Sequence, residues 1–402
     1  MPVEFLGMGG TNDGSETHDR SGTAFDREYT IRLARAHEDF GWDRVLTAYG
    51  SSSPDPAQAA AVIAENTSTL GLLVAHRPNL SIPTFFAKTV ATMDRASGGR
   101  VTVHMISGGS DHEQQREGDF LTKDQRYTRT REYMQILKRA WTSHEPFDHA
   151  GEHYRFADFV LDAFPLQSPR PLISFGGSSP AAYAAGGAEA DVYALWGEPM
   201  SDTAEQIETV HAAARAAGRR DVPRIQVAFR PVIAPTDELA WDKAHATVAA
   251  IRSRTDAGGS LGPRRLSGAP QNAGSQRLLA AAASGERHDR ALWTATAQAT
   301  GGAGNSTSLV GTPETVALAL LDYWDLGVDI LSMRGYDLLG DAIDVGRYVL
   351  PLVREGVARR EAELGSPGAR VRAAAGARAR LIAQKADAAA TGGARRGTPV
   401  PA

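Results

Sequence analysis

Short apolar runs alternate with longer amphipathic segments along most of the chain. The runs are rich in Val, Ile, Leu and Phe, as is typical of strands buried on both faces. Eight of them can be counted, at residues 3–8, 45–48, 70–75, 101–106, 172–177, 192–196, 225–233 and 329–333. A segment of helical period, or an excursion containing one, follows each run. The pattern predicts eight parallel strands with helices outside them.

Two α/β folds place helices around such a sheet: a doubly wound open sheet and a closed barrel. An open sheet that binds a dinucleotide would have Gly-x-Gly-x-x-Gly after its first strand. Residues 7–11 (GMGGT) lack this spacing. Eight units over roughly 350 residues fit the barrel better. The predicted fold class is therefore α/β, a (β/α)8 TIM barrel with insertions.

We expect residues 1–360 to form this single barrel domain, with two insertions. The first, near 146–170, is rich in aromatic residues and proline and predicts a small hairpin. The second, near 252–306, is rich in Gly, Arg, Ser and Ala around a helical piece at 275–283, and is a candidate lid. Residues 361–402 are rich in Ala, Arg and Gly without a large apolar face, which predicts a disordered tail. A helix near 371–386 is the alternative.

Composition excludes several classes of protein. The 402 residues are 42% hydrophobic with a net charge of -4, which argues against disorder. A sequence pI near 6.3 gives no electrostatic case for binding nucleic acid. The absence of cysteine excludes disulfides, thiol nucleophiles and cysteine-ligated metals. No apolar run approaches the roughly 18 residues of a membrane span, and the N-terminus has no signal-peptide pattern. A cytoplasmic enzyme is expected.

In barrels of this kind the functional site lies at the carboxyl ends of the strands. The predicted carboxyl ends are rich in Gly, Ser, Arg and His, whereas residues 41–44 and 98–100 at the opposite end are ordinary turns. The candidate site residues near the carboxyl ends are His18, Arg77, Asn79, Ser107, Gly177, Ser178, Ser179, Trp196, Arg230, Arg334 and Tyr336.

Residues 176–180 (GGSSP) form the best candidate for an anion site. Glycines leave backbone amides uncovered, the serines offer hydroxyl donors and an N-cap, and Pro180 can start a helix. A helix N-terminus of this kind suits a phosphate group. An ordinary strand-to-helix turn with a serine cap would give the same sequence.

Arg77, Arg230 and Arg334 come from different strands but should project near one mouth. Converging guanidinium groups suit an anionic ligand, although each could instead pair with a carboxylate such as Asp111, Glu198 or Asp337. His18 is in a polar loop, either as a proton donor or simply exposed. His18, His76 and His104 lack the spacing of metal ligands, so no metal is expected. Without a Gly-x-Ser-x-Gly motif, hydrolysis is a distant alternative.

Several segments resemble the bacterial-luciferase-like flavin-dependent monooxygenases, and among these the alkanesulfonate monooxygenases most. The resemblance extends over about residues 3–354 in unbroken order. Its segments are LVAHRP at 73–78, ATMDRASGGR at 91–100, GDFL at 118–121, FGGSS at 175–179, DVYALWGEP at 191–199 and LVGTP at 309–313. The resemblance implies a (β/α)8 barrel with insertions.

The resemblance also implies reduced FMN as cofactor, supplied by a separate NAD(P)H-dependent flavin reductase, with dioxygen as co-substrate. The expected reaction converts a small anionic substrate, as in alkanesulfonate desulfonation to sulfite and an aldehyde. Family members are usually dimers or tetramers. By position, Ser178 and Ser179 would hold the FMN phosphate, Tyr127 would lie by the flavin, Asn79 would line the ring or ribityl path and Ser107 would lie beneath it. Gly177 and Trp196 complete the expected cofactor set, and Arg77 and Tyr336 match residues of the sulfonate branch.

The chain departs from the sulfonate branch at several positions. Phe229-Arg230-Pro231 replaces its strand-7 histidine and the arginine two residues before it, and Lys123 replaces a histidine before Tyr127. Serines at 51–53 stand where it has a cysteine, and Ala299-Thr300 replaces its loop arginine. Two alternatives therefore stay open: a deazaflavin-dependent hydride-transfer oxidoreductase of the same superfamily, and a non-catalytic flavin-binding protein.

Overall fold

The structure, a computed structural model, describes residues 3–256, 270–304 and 306–394. Its strands are β1 (Glu4–Met8), β2 (Arg44–Thr47), β3 (Gly71–His76), β4 (Val101–Met105), β5 (Phe147–Ala150), β6 (Arg155–Phe159), β7 (Leu172–Gly176), β8 (Val192–Trp196), β9 (Arg224–Ile233), β10 (Arg287–His288), β11 (Leu292–Trp293), β12 (Ser308–Gly311) and β13 (Val328–Met333).

The helices alternate with these strands. They are α1 (Arg27–Asp39), α2 (Pro56–Glu65), α3 (Pro83–Ala96), α4 (Asp111–Gln115), α5 (Lys123–Thr142), α6 (Pro180–Glu189), α7 (Met200–Ala216), α8 (Asp237–Asp256), α9 (Ala273–Ser284), α10 (Ala295–Ala299), α11 (Pro313–Asp325), α12 (Leu338–Tyr348), α13 (Leu350–Leu364) and α14 (Pro367–Ala394). Pro351 lies in the first turn of α13, where proline is tolerated, and α13 begins as a helix separate from α12.

Eight of the strands close a parallel barrel in the order β1-β2-β3-β4-β7-β8-β9-β13, and β13 pairs back onto β1. These eight strands coincide with the eight apolar runs of the sequence, so the predicted (β/α)8 barrel is confirmed. Strand β3 shows why the prediction works: all six of its residues are buried, because the barrel interior covers one face and helices cover the other.

The additions to the barrel lie where the sequence pattern breaks. In the first, β5 and β6 form an antiparallel hairpin. In the second, α9 leads to β10 and β11, which pair antiparallel, and β11 pairs with β12. Strand β12 then runs parallel to the outer half of β9. Gly301 and Gly302 adopt positive φ angles of 63° and 73°. These two glycines are candidate hinges of the second insertion. A second glycine pair in it, Gly258-Gly259, lies outside the described residues.

The chain after residue 365 differs from the expected tail. Helix α14 packs along α7, and Arg370, Arg378 and Lys385 bind partners on the barrel. Arg370 pairs with Asp329 at 2.9 Å, at the amino end of β13, and Lys385 pairs with Asp202, at the start of α7. The amino end of β13 and the start of α7 lie at opposite ends of the barrel. The helix therefore spans the barrel from its amino end to its carboxyl end.

Arg378 is the most buried anchor of α14, at 6% exposure. Its Nη1 donates to the carbonyl of Leu326 at 2.7 Å and its Nε donates to Glu208 at 2.7 Å. We expect Arg378→Ala to lower the free energy of unfolding by about 1–3 kcal/mol, because it leaves that carbonyl without its donor. Urea unfolding would measure the loss. Arg380→Ala, at an exposed position of the same helix, should change it by less than about 0.5 kcal/mol; equal losses would contradict the anchoring role.

Across the residues that the structure describes, every helix is too short or too polar to cross a lipid bilayer.

Candidate functional site

Predicted site residues from six strands lie at or beyond the carboxyl ends of the barrel. Arg77 and Asn79 follow β3, and Ser107 follows β4. Residues 177–179 follow β7, and Trp196 ends β8. Arg230 lies in the outer half of β9, and Arg334 and Tyr336 follow β13. Tyr127 is carried by α5. We call this end of the barrel the mouth.

The cradle at residues 176–179 joins β7 to α6. Ser179 is the N-cap of α6, and its side chain accepts a hydrogen bond from the Ala182 amide at 3.3 Å. A Cβ on Gly177 would lie 2.6 Å from the Ala182 Cβ and 3.4 Å from the Tyr127 hydroxyl, so only glycine leaves this approach open. The positive end of a ten-residue helix is suited to an anion.

Tyr127 lies against this cradle. Its phenol interacts with Ser179, and its ring packs edge-on against Phe175 at 6.2 Å. Burial raises the pKa of Tyr127, which outweighs the opposite effect of its hydrogen bond to Ser179. The phenol is therefore a neutral hydrogen-bond donor at pH 7.

Polar side chains without partners lie near the mouth. The Asn79 amide has both its oxygen and its nitrogen buried, and neither has a hydrogen-bond partner within the described chain. Gln114 on α4 is in the same state, and it packs against Gly108, the residue after Ser107. Buried polar groups are normally paired, so such amides are typical of a place where a ligand binds. Gln114 was not predicted, because its helix is too short to show a periodic pattern.

Ser107 is also buried, but it is paired. Its hydroxyl is 2.8 Å from that of Thr130 on α5, which in turn donates to the Arg126 carbonyl at 2.7 Å. This chain of hydroxyls fixes Ser107 at the end of β4.

Glu16 joins two of the predicted arginines. Its carboxylate accepts from Arg230 at 2.8 and 3.1 Å and from Arg334 at 2.7 Å. The Arg230 side chain is 1% exposed, and its guanidinium lies 5.0 Å from the centre of the Tyr336 ring. Two guanidinium groups therefore share the one carboxylate of Glu16. The sequence analysis considered Asp111, Glu198 and Asp337 as partners of these arginines, and for Arg230 and Arg334 this was wrong. The signal that could have indicated the right partner was an acidic residue, Glu16, in the loop after the first strand.

Glu16, Arg230 and Arg334 change one another's pKa values. Burial alone would raise the pKa of Glu16, but the guanidinium groups of Arg230 and Arg334 outweigh it and hold the pKa well below its ordinary value. Burial and the neighbouring Arg230 lower the pKa of Arg334 to about 10. All three groups are therefore charged at pH 7.

Arg77 belongs to a different cluster. It pairs with Glu117 at 2.6 Å and with Glu113 at 3.1 Å, and it lies 4.8 Å from the centre of the Tyr49 ring. The Tyr49 hydroxyl donates to Glu117. Two carboxylates outnumber the one guanidinium, so this cluster is not suited to an anion. Arg77 therefore differs electrostatically from Arg230 and Arg334.

His18 is exposed and bonds within its own loop. Its Nε2 lies 2.8 Å from the Asp13 carbonyl, and its Nδ1 lies 3.1 Å from the Ser15 and Thr17 hydroxyls. The structure does not bring it into contact with the barrel residues of the mouth.

The second insertion is attached to β8 through a buried ion pair. Glu198, 1% exposed, accepts from Nε and Nη2 of Arg277 on α9 at distances of 2.6 to 3.0 Å. Gly274 of the same helix packs so closely on Trp196 that a Cβ there would lie 2.8 Å from the indole. Trp196 therefore contacts the insertion as well as the mouth.

Two histidines near the mouth are neutral structural groups. His76 lies 3.0 Å from the Tyr133 hydroxyl and stacks on Phe86, and burial lowers its pKa to about 3. His104, inside the barrel, lies 2.9 Å from the Ser174 hydroxyl, and burial lowers its pKa to about 4. Neither side chain contacts a third histidine or a carboxylate cluster: no group of three metal-ligating side chains occurs within the described ranges.

Both rings would protonate near pH 6.5 in the unfolded chain but resist protonation in the folded one. Their contribution to stability is complete above pH 6.5 and is lost as the pH falls towards 4. For each of the two histidines, we expect the free energy of unfolding to fall by about 1.4 kcal/mol for every pH unit by which the pH is lowered in this range. Urea unfolding between pH 7 and 5 measures the slope. His104→Gln should reduce this slope, whereas His112→Gln, at an exposed position, should leave it unchanged. An unchanged slope in His104→Gln would contradict the conclusion that His104 stays neutral in the folded protein.

Comparison with known proteins places this geometry in context. A family model described as luciferase-like monooxygenase matches residues 7–330. A riboflavin lyase, solved with a modified FMN and riboflavin, is 21% identical with a TM-score of 0.71 over 91% of this chain and 96% of its own. EDTA monooxygenase from Chelativorans sp. BNC1 is 18% identical with a TM-score of 0.70, covering 89% and 95%. An F420-dependent secondary alcohol dehydrogenase is 15% identical with a TM-score of 0.65, covering 88% and 99%. At these identities the structural likeness shows the shared fold.

Proposed function

This chain belongs to the luciferase-like monooxygenase family, and on that premise we propose that it is the oxygenase of a two-component system. It is an oxidoreductase, and the proposal specifies its chemistry. Reduced FMN comes from a separate NAD(P)H-dependent flavin reductase, dioxygen is the co-substrate, and the substrate is a small organic anion. An alkanesulfonate that is converted to sulfite and an aldehyde fits these requirements.

The cradle at residues 176–179 is the observation that carries the proposal. It combines the serine-capped N-terminus of α6, two serine hydroxyls and a glycine whose Cβ would close the approach. These are the donors that a phosphate monoester needs. The buried, unpaired amide of Asn79 offers a donor and an acceptor, which suits a flavin ring or its ribityl chain.

The residues present therefore fit FMN. Ser178, Ser179 and Tyr127 would hold the phosphate, and Asn79 would bind the ring or the ribityl chain. When bound, reduced FMN supplies the electrons with which dioxygen is activated. The protein contributes binding, orientation and exclusion of water.

The substrate anion is assigned to Arg230 and Arg334 rather than to Arg77. The first two share one carboxylate, Glu16. Arg77, in contrast, pairs with two carboxylates. Arg334 would donate to a sulfonate or carboxylate, and the Tyr336 ring packs against Arg230.

The second insertion acts as a lid in this proposal. The Glu198–Arg277 pair and the contact of Gly274 with Trp196 hold α9 at the mouth. A closed mouth excludes water from the reaction.

The test is a substrate panel with enzymatically reduced FMN, comparing alkanesulfonates with carboxylates of the same chain length. We expect oxygen uptake above the reductase background, with sulfite released from at least one sulfonate. A protein that binds neither oxidised nor reduced FMN would overturn the proposal.

A second candidate is hydride transfer with a deazaflavin. It is favoured by Phe229-Arg230-Pro231, which replaces the strand-7 histidine of the sulfonate branch, and by the fold shared with the F420-dependent alcohol dehydrogenase. The two candidates differ in their need for oxygen. Substrate turnover with reduced F420 under anaerobic conditions would select the second.

A further inference from the structure

Gln206 is a buried polar residue that the proposed function does not yet use. It lies on α7 and is 2% exposed. Its Oε1 is 3.1 Å from the Ser178 hydroxyl and 2.9 Å from the Tyr183 hydroxyl. Its Nε2 is buried and has no hydrogen-bond partner within the described chain. The Gln206 amide thus contacts the cradle from α7, and the two hydrogens of its Nε2 have no acceptor within the described chain.

The orientation of this amide decides what Ser178 can do. With Oε1 towards the two hydroxyls, both hydroxyls must donate to it, and the Ser178 hydrogen is not available to the cradle. Rotation of the amide by half a turn places Nε2 there instead, and its two hydrogens match the two hydroxyl oxygens. Ser178 and Tyr183 then accept from Gln206, and both of their own hydrogens become free to donate.

A phosphate offers acceptor oxygens at neutral pH, so only the second orientation lets Ser178 bind it. The site has the other parts that a phosphate needs, since Ser179 caps α6 and Tyr127 lies beside it. The ring of Tyr183 stacks on that of Tyr193, with the ring centres 5.9 Å apart.

We propose that Gln206 is a positioning residue for the flavin phosphate: by donating to Ser178 and Tyr183 it directs the Ser178 hydroxyl to the phosphate monoester of FMN. This inference rests on the proposed use of FMN. It predicts that Gln206 distinguishes FMN from riboflavin, which has the same ring and ribityl chain but lacks the phosphate.

The experiment compares two variants in which Gln206 is replaced by a side chain of similar length. Flavin fluorescence measures the affinity of each variant for oxidised FMN and for riboflavin. An ionised glutamate can only accept, so Gln206→Glu should hold the Ser178 hydrogen away and weaken FMN binding by about tenfold to a hundredfold. Gln206→Met makes no such bond and leaves Ser178 free to turn, so it should weaken FMN binding by about threefold or less. Riboflavin affinity should change by less than about twofold in both.

A double variant separates orientation from simple charge repulsion. If Gln206 acts through Ser178, the effect of Gln206→Glu should shrink to about threefold or less in a Ser178→Ala background. An undiminished effect there, or parallel losses for FMN and riboflavin, would overturn the role of Gln206 while leaving FMN binding by the parent protein intact. Failure of the parent protein to bind FMN would overturn the proposed function, and this inference with it.

Discussion

Replacing Glu16 with glutamine is expected to lower the free energy of unfolding by about 3–5 kcal/mol, the range found when one partner of a buried ion pair is removed. The change keeps the shape of the side chain but removes the carboxylate that the guanidinium groups of Arg230 and Arg334 share. Urea unfolding at pH 7 would measure the loss.

An added anion should restore much of this stability. The variant would lack the negative charge that Arg230 and Arg334 share, so methanesulfonate or sulfate should raise its melting temperature more than that of the parent protein. Glu28→Gln is the control, because Glu28 is 78% exposed and its one ion pair within the described ranges is with the exposed Arg27. A loss below about 1 kcal/mol, or equal anion effects in both proteins, would contradict the proposed anion site.

Replacing Asn79 with leucine is expected to have opposite effects on stability and on flavin binding. Its amide is buried without a partner, so an apolar side chain of similar size should raise the free energy of unfolding of the flavin-free protein by about 1–2 kcal/mol. If the amide binds the flavin, the same change should weaken FMN binding by about tenfold or more. Thermal unfolding without flavin and a fluorescence titration would measure the two quantities.

Asn66 provides a matched control for this experiment. It caps α2, and its side chain donates to the Val62 carbonyl at 2.8 Å. Asn66→Leu should therefore lower stability and leave FMN affinity unchanged. If Asn79→Leu also destabilises the flavin-free protein, its amide is satisfied by the protein or by water, and the argument for a ligand at this place fails.

The barrel could be predicted from the sequence because its signal is local. A strand such as β3, buried on both faces, must be a continuous apolar run, and eight such runs separated by helical segments leave few possible folds. The hairpin at β5 and β6 was similarly indicated by a break in the pattern.

The C-terminal helix could not be predicted in this way. Its inward residues are mainly alanine and arginine, as at Ala374 and Arg378, so it has no large apolar face. It is held by ion pairs and by Arg370, whose guanidinium lies 4.3 Å from the centre of the Trp324 ring. Hydrophobic periodicity does not register contacts of this type.

The position of the candidate residues in the fold was predictable from the sequence, but their pairings were not. The rule that function lies at the carboxyl ends of the strands selected Asn79, Ser178 and Arg230. The sequence could not show that Glu16, 214 positions from Arg230, would be its partner. Nor could it show Gln206, because an inward-facing glutamine in the middle of α7 has no local signature.

The path of α14 has a consequence for engineering. The chain enters the barrel at the amino end of β1, whereas α14 carries it back along the outside as far as Asp202, at the opposite rim. If flavin binds at the mouth as proposed, a reductase fused after α14 would start from that side, while one fused ahead of β1 would need a linker long enough to pass around the whole barrel. For such a single-chain fusion, the order with this barrel first and the reductase second is the one this topology favours.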